Sequence, residues 1–182
     1  LDGRLTQVLE IAVAYGQTDA ISHAFKQSIG SNRLQAHQLQ HLSHLAKVAR
    51  RHNLELITAL DRETLQRIEA LVEDLSVRVS DPEVDSEFRL AAIHLLGWAP
   101  GIDPMVRRQI LTGLIDPRNS PELQSAALAS VADLKEPIVA VELLARWKQM
   151  GPGIRDQVID RLLTRKLWVL VLLEHLRDER LT

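Results

Sequence analysis

The chain has 182 residues, with 22 basic and 24 acidic side chains and a net charge of −2, which argues against a strong general affinity for nucleic acid or an anionic membrane. It contains no cysteine, so disulfides, thiolate catalysis, iron–sulfur clusters and covalent c-type haem attachment are excluded within it. Apolar residues make up 46% but aromatics only 3%, so the core is aliphatic and suits packed helices better than a β-sandwich.

Taken in order, residues 2–15 are expected to form a helix with Leu5, Val8, Leu9, Ala12 and Tyr15 on one side. Gly16 to Thr18 break it, and Thr18 is placed to cap a second helix over residues 19–29. A turn at Gly30–Asn32 leads into a longer helix from about Leu34 to His52, with Leu39, Leu42, Leu45, Ala46 and Ala49 inward. The segment Leu54–Leu60 fits either helix or loop. Asp61 then caps a helix running to about Ser80, with Leu65, Ile68, Leu71, Val72 and Leu75 periodic, and Asp81-Pro82 ends it. No apolar run reaches the length of a membrane-spanning helix, and no signal peptide is visible. The start at Leu1 rather than Met reads as a segment cut from something longer.

From Asp85 a helical unit is written three times. Phe88, Ala92, Ile93 and Leu96 recur 35 residues later as Leu123, Ala127, Leu128 and Val131, and 31 further on as Ile154, Val158, Ile159 and Leu162. Steps of four, one and three mark one face of an α-helix. Small residues at Ala91, Ala92, Ala126 and Ala127 permit close approach of a neighbouring helix. Each copy is followed by a second helix. These carry Val106, Ile110, Leu111 and Leu114; then Val139, Leu143, Leu144 and Trp147; then Trp168, Val169, Leu172, Leu173 and Leu176. Pro104, Pro121, Pro137 and Pro152 sit where helices begin, since the first-turn N–H has no intrahelical partner. Asp103 and Ser120 are candidate N-caps. A helix pair recurring at this period predicts an all-α fold, an α-α superhelix of about ten helices in five antiparallel pairs. The whole of 1–182 is expected to be one such domain, with residues 1–85 as degenerate or capping helices and 86–182 as the clearer repeats.

Few residues arrange themselves for chemistry. His37, His41 and His44 share a helix stripe, but no fourth ligand completes a zinc set, so a polar helix flank accounts for them and no metal is expected. Glu73-Asp74, Asp156 with Asp160, and Glu174 with Asp178 and Glu179 are accounted for as solvated helix faces, because acid–base work needs a perturbed carboxyl in a pocket. No phosphate-binding Gly-rich loop, zinc-protease motif or serine elbow is present. Arg107, Arg108, Arg146 and Lys148 fall on or beside second helices, which line the concave side of a solenoid, and form the candidate interaction surface. Trp147 and Trp168 occupy apolar helix positions and are expected in the core. Trp98, after Gly97 at a helix end, is the one expected at the surface and joins the candidate set.

The repeated unit resembles HEAT repeats. The strings Arg89-Leu-Ala-Ala-Ile-His-Leu-Leu-Gly97 and Asp116-Pro-Arg-Asn-Ser-Pro-Glu-Leu-Gln-Ser-Ala-Ala-Leu128 make residues 86–182 look more specifically like the HEAT-like segment of large multidomain secreted proteins of planctomycetes. Arg146-Trp147, Gly151-Pro-Gly-Ile-Arg155, Leu162-Leu-Thr-Arg165, Trp168 and Leu172-Leu173 continue the likeness. There the segment lies between a β-propeller of dehydrogenase type and a c-type cytochrome domain. The resemblance implies a secreted or periplasmic location and a scaffold role between redox modules, with any haem held by a neighbouring domain. It supplies no catalytic residue. The expectation is a non-enzymatic scaffold or protein–protein interaction module without cofactor, whose partners are other proteins or neighbouring domains, with no membrane insertion. The alternative is a nucleic-acid-binding HEAT-like domain resembling the HEAT-like DNA glycosylases; seventeen of the 22 basic residues being Arg favours it, and the net charge opposes it.

Overall fold

The computed structural model describes residues 34–51, 60–99 and 102–178, with positions 8, 11, 12, 15, 17, 23, 26 and 29. The helices expected over 2–15 and 19–29, the Thr18 cap, the turn at Gly30–Asn32 and the segment from Leu54 lie largely outside these. All regular structure among the described residues is helical. It comprises α1 (Ala36–Arg51), α2 (Arg62–Arg78), α3 (Ser86–Leu96), α4 (Pro104–Gly113), α5 (Pro121–Ala132), α6 (Pro137–Ala145), α7 (Pro152–Leu162) and α8 (Lys166–Arg177), plus one 3₁₀ turn, Trp147–Gln149. The chain forms two compact units, Leu1–Asp103 and Pro104–Thr182.

In the first unit α3 packs against both α1 and α2. Leu39, Leu42, Leu45 and Ala46 of α1, and Ile68, Val72 and Leu75 of α2, are buried at the periodic spacing of the sequence. Asp61 caps α2 as expected: its carboxylate accepts from the Thr64 backbone N–H and hydroxyl, each at 2.9 Å. Asp85 caps α3 in the same way through Phe88 N–H at 3.0 Å.

The second unit alternates between two layers. Helix α4 packs on α6 and α6 on α8, while α5 packs on α7; α4 also meets α5, and α7 meets α8. Proline occupies the first position of α4, α5, α6 and α7. Ser120 caps α5 through Leu123 N–H. The turn from α5 to α6 passes through Lys135 with φ of 63°, a left-handed conformation that a side chain adopts at a cost.

The repeated apolar template is buried as its spacing predicts. Phe88, Ala92, Ile93 and Leu96 of α3, Leu123, Ala127, Leu128 and Val131 of α5, and Ile154, Val158 and Leu162 of α7 are all buried; Ile159 is half-buried. The second helices follow their pattern less closely. Leu111, Val139, Leu143, Leu144, Trp168 and Leu172 are buried, whereas Val106, Leu173 and Leu176 are exposed.

Candidate functional site

One position of the template does more than pack. Arg89, Gln124 and Arg155 each follow the first apolar residue of their helix, and each donates a side-chain hydrogen bond back to a carbonyl of the preceding segment. Arg89 Nε reaches the Val79 carbonyl at 2.8 Å, at the end of α2. Gln124 Nε2 reaches Asn119 at 2.8 Å. Arg155 Nε reaches Trp147 at 3.0 Å, and its Nη2 reaches Lys148 at 3.3 Å. Val79 closes α2, where carbonyls lack intrahelical donors, so the Arg89 latch satisfies one; the Gln124 and Arg155 latches hold loop and 3₁₀-turn carbonyls just before their helices. Periodicity does not reveal this, because Arg, Gln and Arg on a polar flank look like solvated residues. The signal is their shared register.

Among the predicted interaction residues, Arg108 is engaged within the chain. Its guanidinium bonds the Glu136 carboxylate and, at 2.9 Å, that of Glu142, and only 13% of the side chain is exposed. The hydrogen bond it donates to Glu142 is the main cause that holds its pKa above the ordinary arginine value, against the opposing effect of burial. Its neighbour Arg107 is half-buried. Arg146 ends α6, and its charge falls near Asp116. That carboxylate is held at about 2 chiefly by the Arg118 side chain and its backbone N–H. Lys148 is exposed on the 3₁₀ turn. Trp98, in the first unit, is half-buried.

The expectation for Trp147 is corrected. Helix α6 stops at Ala145, and Arg146 tightens the chain into the 3₁₀ turn, so Trp147 leaves the helix face that its spacing implied. It is half-buried, with the Arg155 guanidinium 5.4 Å from its ring centroid. Trp168 is buried as expected. Its indole N–H donates to the Glu136 carbonyl at 3.1 Å, and the Arg165 guanidinium lies 4.5 Å from its ring centroid.

An apolar row escaped the sequence analysis. Met105, Ile138 and Leu167 are each the second residue of their helix, and those helices, α4, α6 and α8, are neighbours in one layer. All three are exposed, as are Val141 and Leu170, each the fifth residue of its helix. The sequence signal is an apolar residue immediately after each second-helix start, which helical periodicity alone assigns to no face.

His37 and His41 lie edge to face with ring centroids 6.3 Å apart. No group of three potential ligands among the described residues is placed to hold a metal ion. Of the acidic clusters, Asp74 pairs with Arg78 at 3.1 Å and Asp178 with Arg177 at 3.0 Å, while Asp156 and Asp160 are exposed. No helix among the described residues is long and apolar enough to cross a membrane. Comparison of the chain with family models, curated proteins and solved structures finds no match.

Proposed function

We propose that the chain is a HEAT-like α-solenoid whose role is non-catalytic: it docks a protein partner, or neighbouring domains of a longer chain, on its layer of second helices. The observation that carries this reading is the latch at Arg89, Gln124 and Arg155, which recurs in register with the buried template. A repeated packing face can arise in any helical bundle. Side-chain-to-carbonyl bonds from the same template position in three helices support reading them as one unit used three times, although the acceptors lie ten, five and eight residues back. The packing of α4 on α6 and α6 on α8 in one layer, and of α5 on α7 in the other, supports the reading.

The docking surface is the exposed row Met105, Ile138 and Val141. An exposed apolar strip fits the apolar face of an amphipathic partner segment. The link to secreted redox proteins, and with it the secreted location, rests on the resemblance of the packing motifs alone.

Three experiments test the reading. The natural parent, captured from its source with an antibody to this domain, is expected to be far larger than 20.5 kDa and to carry a haem Soret band. A small haem-free protein removes the redox-scaffold version and leaves the generic array. Crosslinking of the captured parent should place a partner segment over α4 and α6, and Met105→Glu with Ile138→Glu should abolish that crosslink. Crosslinks that survive the double variant overturn the proposed surface. Binding of duplex DNA at low salt, where phosphate contacts are strongest, would instead support the nucleic-acid reading.

A further inference from the structure

Helix α1 holds three of the chain's seven histidines, His37, His41 and His44, and no carboxylate anywhere along its length. At about 100° per residue the three imidazoles fall within an arc of about 60°. That arc lies on the side away from the buried Leu39, Leu42 and Ala46, which build the core of the first unit. His37 and His44 are exposed, and His41 is half-buried.

His37 and His41 are four residues apart, so they are neighbours on the helix surface. Their rings are in edge-to-face contact, with centroids 6.3 Å apart. An ion held by one nitrogen of each ring, at about 2.1 Å and near a right or tetrahedral angle, sets the centroids about 5 Å apart. Each ring therefore has to move by less than about 1 Å, which small rotations about χ1 and χ2 supply. Every imidazole has two nitrogens. A hydrogen bond at one leaves the other for a metal and fixes the tautomer that presents it. His44 lies two turns from His37, about 10 Å along the axis, too far to share an ion with it.

The chemistry of the helix decides which ion fits. Magnesium and calcium take oxygen ligands, and α1 offers no carboxylate. Imidazole suits the late first-row metals, and copper(II) stands highest in their order of affinity. No third ligand among the described residues joins the pair, so water fills the remaining positions. The partial positive charge at the start of α1, one residue from His37, opposes the ion further. Both effects make the site exchangeable. The four-ligand set that the sequence lacks belongs to structural zinc, which is a different demand.

We infer that His37 and His41 form a two-nitrogen site for a divalent late transition metal, copper(II) ahead of nickel(II) and zinc. The inference does not depend on the repeat reading or on the docking row of α4 and α6.

The test is titration of the tag-free full chain with copper(II) chloride in a non-coordinating buffer, followed by electron paramagnetic resonance. One saturable site with nitrogen hyperfine structure is expected, and excess magnesium or calcium should leave its spectrum unchanged. His37→Ala and His41→Ala should each weaken binding by about tenfold or more, because the second nitrogen no longer acts at high effective concentration. Their helical circular dichroism spectra should match the wild type, since both side chains lie off the core face. His44→Ala should leave the affinity unchanged. The absence of saturable binding overturns the proposal. So does wild-type affinity in either the His37→Ala or the His41→Ala variant, or a loss through His44→Ala as large as through His37→Ala.

Discussion

Arg89 is a buried arginine in a helix whose neighbours are aliphatic, and its bond to the Val79 carbonyl offsets part of the cost of that burial. Gln124 plays the same part without a charge. Hydrogen bonds from charged groups are the stronger kind, so Arg89→Met should cost about 2 kcal/mol and Gln124→Leu about 1 kcal/mol. Urea midpoints at unchanged m-value would check both. A second residue-scale effect is acid sensitivity. Asp61 is held at about 2, first by Lys26 at 2.5 Å and then by Thr64; Asp116 is held at about 2, first by Arg118. A carboxylate held below its ordinary value of 3.8 stabilises the fold fully above that value. The contribution is lost as pH falls from 3.8 toward 2. Thermal melts across this window should fall more steeply for the wild type than for a variant with Asp61→Asn and Asp116→Asn.

Helix starts were legible in the sequence because local chemistry decides them. Proline at a first position, Ser120 and Asp61 act within one turn of chain, and all were placed correctly. The first-helix template was legible for a related reason: its spacing sets four apolar positions on one side of α3, α5 and α7, within the part of each helix that is buried. Trp147 was misplaced because the stop of α6 at Ala145 depends on a 3₁₀ turn whose carbonyls Arg155 holds from the next helix. Arg108 was taken for a surface residue because its partners lie 28 and 34 residues away, beyond any local pattern. Equivalence of the template positions makes a sharp prediction. Leu96→Ala and Leu162→Ala should each cost about 3 kcal/mol, whereas Ile159→Ala, at a half-buried site, should cost about 1 kcal/mol. The turn after α5 offers the opposite sign: Lys135→Gly relieves a left-handed backbone and should stabilise by about 0.5 kcal/mol, read from the thermal midpoint.

Over the whole molecule, contacts within the second unit join each helix to the next or to the next but one. Such local wiring confines damage. Leu172→Ala in α8 should speed hydrogen exchange in α6 and α7, its direct neighbours, more than in α5, which a mass-resolved exchange map would show. Glu136 is the exception to gradual spread. Its carboxylate holds Arg108 of α4, its carbonyl holds the Trp168 indole of α8, and it opens α6 itself. Under a pulling force applied between residues 104 and 178, that single clasp makes three helices share the load. The second unit should therefore give way in one rip on an optical-tweezers trace. Removing the indole bond with Trp168→Phe should let α8 peel away first, at lower tension.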